Sequence, residues 1–136
     1  MKVVINRARG VPFSLSARAV RDLRVANAIG IKAMPISEWG TCDWISVTGT
    51  ISRNPVNDAI RIGDTVFYSV YGKREGLKSR ADPDLVTVVE TLGPLASSRG
   101  ARLVVVDIPV TFDQIEIEDG DGERIRQKST TWGEGL

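Results

Sequence analysis

The run Arg80-Ala81-Asp82-Pro83-Asp84-Leu85-Val86-Thr87-Val88-Val89-Glu90-Thr91-Leu92-Gly93 constrains the fold more than any other part of the chain. Asp82 is an N-cap residue, whose carboxylate accepts from the unpartnered N–H groups of a first helical turn. Pro83 suits the first helical position, where no N–H is needed, and Asp84 puts negative charge at the positive end of the helix dipole. Leu85, Val88 or Val89, and Leu92 recur at helical spacing, and Gly93-Pro94 ends the run. Arg102-Leu103-Val104-Val105-Val106-Asp107-Ile108-Pro109 then reads as a buried-type strand closed by proline. A helix with one apolar stripe, followed at once by such a strand, calls for a sheet packed against helices.

The remaining pattern fits that demand. Val3 to Ile5 reads as a short strand, followed by a basic, glycine-containing loop from Asn6 to Pro12. Ser14 or Ser16 can cap a second helix whose apolar face is Ala17, Val20, Leu23 and Ala26 or Asn27, with Gly30 as its C-cap. Residues 31–43, with Pro35 and Gly40, read as irregular. Trp44 to Ile51 alternates apolar and hydroxyl residues, as a half-buried strand does. Ile60–Ile62 and Thr65–Tyr71 flank Gly63-Asp64 as a hairpin, and 72–79 reads as an exposed loop. Gln114–Glu118 and Glu123–Lys128 alternate on either side of an Asp119-Gly120-Asp121-Gly122 turn, and the tail from Gly133 reads as frayed. The prediction is one α+β domain over residues 1–136: an antiparallel-dominated β-sheet with two α-helices packed on it.

Composition narrows the chemistry. A chain of 136 residues buries a core without a disulfide or metal staple. Its net charge of +1 argues against a DNA-coating or polybasic membrane protein. Cys42 is the only cysteine, which excludes an intramolecular disulfide and a thiolate zinc site. There is no histidine, so Ser-His-Asp and Cys-His pairs and histidine-ligated metals are excluded. No stretch reads as a signal peptide or a bilayer span, so a cytoplasmic protein is the plain reading. Binding is favoured over catalysis, and no cofactor or metal is implied.

Individual motifs are weak. Asp119-Gly120-Asp121-Gly122-Glu123 lacks the ligand spacing of a calcium loop and reads as a hairpin turn. Glu116 and Glu118 opposite Arg124 and Arg126 read as cross-strand surface pairs, with a phosphate pocket as the alternative. The loop Asn6-Arg7-Ala8-Arg9-Gly10-Val11-Pro12-Phe13-Ser14 precedes a helix N-terminus and has arginines and a glycine suited to phosphate, though it is not a Walker loop. Arg18, Arg21 and Arg24 read as a solvated helix face with no role. Trp39, Trp44 and Trp132 read as packing residues rather than a base-stacking platform.

Taken together, Asn6-Arg7, Phe13-Ser14-Leu15-Ser16, Arg80 to Gly93, Val104 to Pro109 and Glu116 to Trp132 resemble a family of small phage and prophage proteins, the anti-Thoeris sponges. The segment from Ile31 to Ser79 carries none of the resemblance. Ser97-Ser98 stands where the family has Asn-Gly, and the family's glycines before the Phe are partly replaced, since Val11-Pro12 precede Phe13. The resemblance implies a non-enzymatic trap that holds a cyclic ADP-ribose isomer, with some members also taking up cyclic oligonucleotides, and suppresses a host bacterial defence in the cytoplasm. It implies a homodimer or higher homo-oligomer, with no DNA or membrane partner.

Such a ligand needs arginines for its pyrophosphate, small polar groups for its ribose hydroxyls and a ring for its adenine. The residues assigned to it are Phe13, Arg80, Ser97, Arg99, Arg124, Arg126 and Lys128. Alternate residues of a strand share a face, so Arg124, Arg126 and Lys128 would line up on the pyrophosphate. Two other readings stand beside this one. One is a nucleotide-acting enzyme, a phosphodiesterase or ADP-ribosyl transferase, using Glu116, Glu118 or Asp119. The other is a structural phage protein whose faces only assemble.

Overall fold

The computed structural model describes residues 1–38, 44–45, 50–52, 58–71, 77–98 and 100–128, with backbone alone at 44–45, 50–52, 58 and 77. Arg99, Trp39, Cys42 and the stretch from 129 onward, Trp132 included, lie outside the described residues. The first strand, β1 (Lys2–Asn6), leads to helix α1 (Ala17–Val25). Strands β2 (Ile31–Pro35), β3 (Trp44–Ile45), β4 (Thr50–Ser52), β5 (Asp58–Ile62) and β6 (Thr65–Ser69) follow. A single turn of helix, α2 (Leu77–Arg80), precedes α3 (Pro83–Leu92) and β7 (Leu103–Asp107). The hairpin β8 (Ile115–Gly120) and β9 (Gly122–Gln127) completes the order.

Every pairing is antiparallel. Strands β2 to β6 form one sheet in the order β2-β6-β5-β4-β3, β1 pairs β7, and β8 pairs β9. Helix α1 packs on the five-stranded sheet and on α3, and α3 packs on β1 and β7. The core lies between these layers and joins Val4, Leu15, Val20, Leu23, Ile60, Tyr71, Leu85, Val89 and Leu103. The far face of the large sheet has its own cluster of Ala59 and Val66 with Met34 and Ile36. The α+β architecture matches the sequence reading.

The helix ends show how closely local chemistry sets the elements. Ser16 caps α1, its Oγ accepting from Ala19 N–H at 3.1 Å while donating to Leu95 O at 2.7 Å. Asp82 caps α3, accepting from Asp84 N–H at 3.1 Å, and Gly93, at φ 56°, ends it. The C-terminus of α1 differs from the sequence reading. Asn27, not Gly30, takes the left-handed conformation there, at φ 57°. Asn27 N–H donates to Arg24 O and Ala28 N–H to Leu23 O, the two bonds of a Schellman cap. Gly30 serves a packing purpose instead: a Cβ there would overlap the Tyr71 ring.

Residues 31–38 are also more regular than their composition suggests. They form strand β2 and a 3₁₀ turn over Ile36–Glu38. Val70 N–H donates to Gly30 O, and Ile36 N–H to Asp64 O, so even-numbered residues of β2 face β6. Ile31, Ala33 and Pro35 therefore turn their backbone outward, where Pro35 has no N–H and Ile31 N–H is taken by Ala28 O. An edge strand tolerates proline in that position, and it blunts pairing with another chain.

Candidate functional site

Two groups of charged residues compete for a functional role, and the first is built around β1. Strand β1 pairs with β7 through one edge only, and Arg7 N–H bonding to Arg102 O shows that odd-numbered residues face that partner. Val4 and Asn6 therefore turn their backbone toward an edge to which no strand is hydrogen-bonded among the described residues. An ion pair fills the gap. Arg80 Nη1 donates to Val4 O at 3.3 Å, and Glu123 Oε1 accepts from Asn6 N–H at 2.8 Å. The two side chains hold each other in a fork, Nη1–Oε1 at 2.7 Å and Nη2–Oε2 at 3.0 Å.

Arg80 is 0% exposed and also donates through Nε to Tyr71 O. Phe13 lies 3.8 Å from the guanidinium to the ring centroid, closing one face of the group. Tyr71 extends the network, donating to Asp82 Oδ2 at 2.5 Å and accepting from Gly30 N–H at 3.3 Å. Burial, reinforced by the hydrogen bond to Asp82, pushes the Tyr71 hydroxyl well above its ordinary pKa, so it stays protonated. Phe13 and Arg80, both assigned to a ligand by sequence, are thus brought together, but in the interior with internal partners. Ser97 lies nearby in a bridge with Leu15, and its Oγ accepts from Leu103 N–H at 2.9 Å.

The cations of β9 lie on the other face of the same strand. The register sets Glu116 opposite Arg126 and Glu118 opposite Arg124. Arg126 Nε is 3.2 Å from Glu116, Arg126 Nη1 is 3.4 Å from Glu118, and Arg124 bonds Glu118 directly. The hydrogen bond from Arg124 holds the Glu118 carboxyl below its usual range and raises Arg124 in turn. Lys128 is exposed at the end of the row. The cross-strand surface pairing read from sequence is what the hairpin shows, and a ligand phosphate at Arg124 or Arg126 would have to displace a carboxylate.

The second group is a groove of about 190 Å³ where α1 meets the edge of the large sheet, lined by Arg24, Asn27, Ala28, Ile31, Lys32, Ala33 and Phe67. The Schellman cap fixes its wall. The guanidinium of Arg24 lies 4.8 Å over the Phe67 ring. Ala33 pairs with Phe67 across β2 and β6, while Lys32, on the opposite face of edge strand β2, borders the groove from its rim. Neither Arg24 nor Lys32 meets a carboxylate among the described residues.

The bland account of each lining residue is real: Asn27 is there for its backbone, and Phe67 packs against the core. Their combination still leaves a ring and two cations with no carboxylate beside them among the described residues. None of these residues was assigned a role by sequence, and Arg24 was read as solvated. Only Asn27, a residue tolerant of the left-handed region, carried a local signal. No protein family, curated protein or solved structure matches the chain.

Proposed function

We propose that the protein is a sponge that holds a small cyclic nucleotide, of the cyclic ADP-ribose class, without cleaving it. The observation that carries this reading is the Arg24 guanidinium laid over Phe67 with no carboxylate beside it among the described residues. Stacking on the ring leaves the N–H edge of a guanidinium available, which suits a phosphate, and the outer plane of the guanidinium suits a purine. At about 190 Å³ the groove receives one end of such a ligand, a phosphate and an adjoining base, rather than enclosing all of it. Among its described lining residues none carries a carboxylate, hydroxyl or thiol, which supports holding rather than turnover. Removal of a nucleotide signal by such a protein would blunt a bacterial defence that depends on it.

The test is a release experiment. The protein is incubated with a cyclic ADP-ribose isomer, freed of unbound nucleotide, heated, and the supernatant is chromatographed. Recovery of the unaltered isomer supports the sponge. A hydrolysed or transferred product supports an enzyme instead, and no retained nucleotide removes the reading.

A further inference from the structure

The backbone at position 27 asks for glycine, yet the chain has asparagine there. At φ 57°, Asn27 is the one non-glycine residue in the left-handed region among the described residues. It occupies the place in a Schellman cap that glycine fills most often, because glycine has no Cβ to strain. Asparagine tolerates that conformation where its short side chain bonds locally. Here the Asn27 side chain is exposed and makes no hydrogen bond among the described residues. The fold thus uses the Asn27 backbone and leaves its carboxamide idle.

That residue lines the groove. Of the other lining side chains, Arg24 and Lys32 only donate hydrogen bonds and the rest are apolar. Asn27 is therefore the one described lining residue whose side chain can accept a hydrogen bond, and its amide also donates beside the acceptor. Asn27 N–H donates to Arg24 O at 3.0 Å, so the carboxamide is fixed to the same turn as the guanidinium that lies on Phe67.

We propose that the Asn27 carboxamide selects adenine in the groove, its Oδ1 accepting from the N6 amino group and its Nδ2 donating to N7. An asparagine meets that edge of adenine with two parallel bonds, whereas guanine offers acceptors at both places and suits arginine or lysine instead. This contact rests on the groove being the nucleotide site of the sponge reading, and adds which base the site takes.

The experiment titrates the full chain with adenosine 5′-monophosphate, its 7-deaza analogue, and purine riboside 5′-monophosphate, which lacks the amino group, following amide and arginine signals by NMR. In the parent, loss of N7 or of the amino group should weaken binding by about fivefold or more. Asn27→Gly should bind all three alike and unfold in urea no earlier than the parent, since glycine suits the cap. Asn27→Asp keeps an acceptor for the amino group but sets a carboxylate against N7, so it should prefer the 7-deaza analogue. An asparagine with a structural role alone would move none of these ratios. Arg24→Ala reports on the groove itself. If it abolishes binding while the parent holds the three nucleotides equally, the groove stands and the selection of adenine by Asn27 is overturned. Discrimination kept by Asn27→Gly overturns it as well. If adenosine 5′-monophosphate moves no signal in the parent, the Asn27 contact falls, and the release experiment alone decides the sponge.

Discussion

The β8–β9 hairpin and the α1–β2 groove both present cations, and they differ in what faces those cations. On the hairpin, Glu116 and Glu118 sit across from Arg126 and Arg124, and one residue along the strand Glu123 turns inward to hold Arg80. At the groove, Arg24 rests on an aromatic ring and Lys32 stands at a sheet edge, with no carboxylate among the described residues beside either. The count of basic residues favours the hairpin as an anion site; the placement of counter-charges favours the groove. The same strand also separates two kinds of ion pair. The Glu123 side chain is 7% exposed and that of its partner 1%, whereas the Arg124 side chain is 68% exposed, so the inward pair holds the fold and the outward ones add little.

The largest expected effect lies at the inward pair. Glu123→Ala leaves a buried guanidinium without its carboxylate and Asn6 N–H without an acceptor, and should cost about 3–5 kcal/mol in a urea melt. A loss below about 1 kcal/mol would mean that water compensates the pair and that inward and outward bridges are alike. Asp82→Ala comes next, at about 2 kcal/mol, because it removes both the α3 cap and the acceptor of the Tyr71 hydroxyl. Tyr71→Phe should then cost less in that background than in the parent, since the two share one hydrogen bond and only the acceptor of Gly30 N–H is still lost. Fully additive losses would show that they act separately.

Smaller again is Arg24→Ala, which should weaken binding of a cyclic ADP-ribose isomer by about tenfold or more and leave stability unchanged, as calorimetry and a melt together would show. The least disturbance is expected from Arg124→Ala. The Glu118 carboxyl is depressed by that arginine, so its contribution is present above the ordinary carboxylate range and is lost as pH falls through the depressed pKa. Removing Arg124 should move the Glu118 titration upward toward the ordinary value in NMR, with no change in the denaturant midpoint. An unmoved titration would mean that the hairpin pairing does not persist in solution.

Much of the fold was legible because its signals are local. Asp82-Pro83, Ser16, Gly93 and the Gly63-Asp64 turn each act within a few residues of themselves, and each stands where the sequence placed it. Strand β2 was missed because Ile31-Lys32-Ala33-Met34-Pro35 lacks alternation and is held by pairing with β6, a distant partner in Thr65–Ser69. The role of Arg80 was missed for a similar reason. A basic residue before a helix cap looks like surface or ligand chemistry, and nothing nearby reveals that Glu123 will meet it or that the open edge of β1 needs both. The groove was hidden by the same distance, since Arg24 and Phe67 are joined only by packing α1 on β6.

The most direct measurement compares two double variants, Arg24→Ala/Lys32→Ala and Arg124→Ala/Arg126→Ala, with the parent in calorimetry against a cyclic ADP-ribose isomer. The groove variant should lose most of the affinity while the hairpin variant binds as the parent does. Loss confined to the hairpin variant would contradict it and place the phosphates on β9.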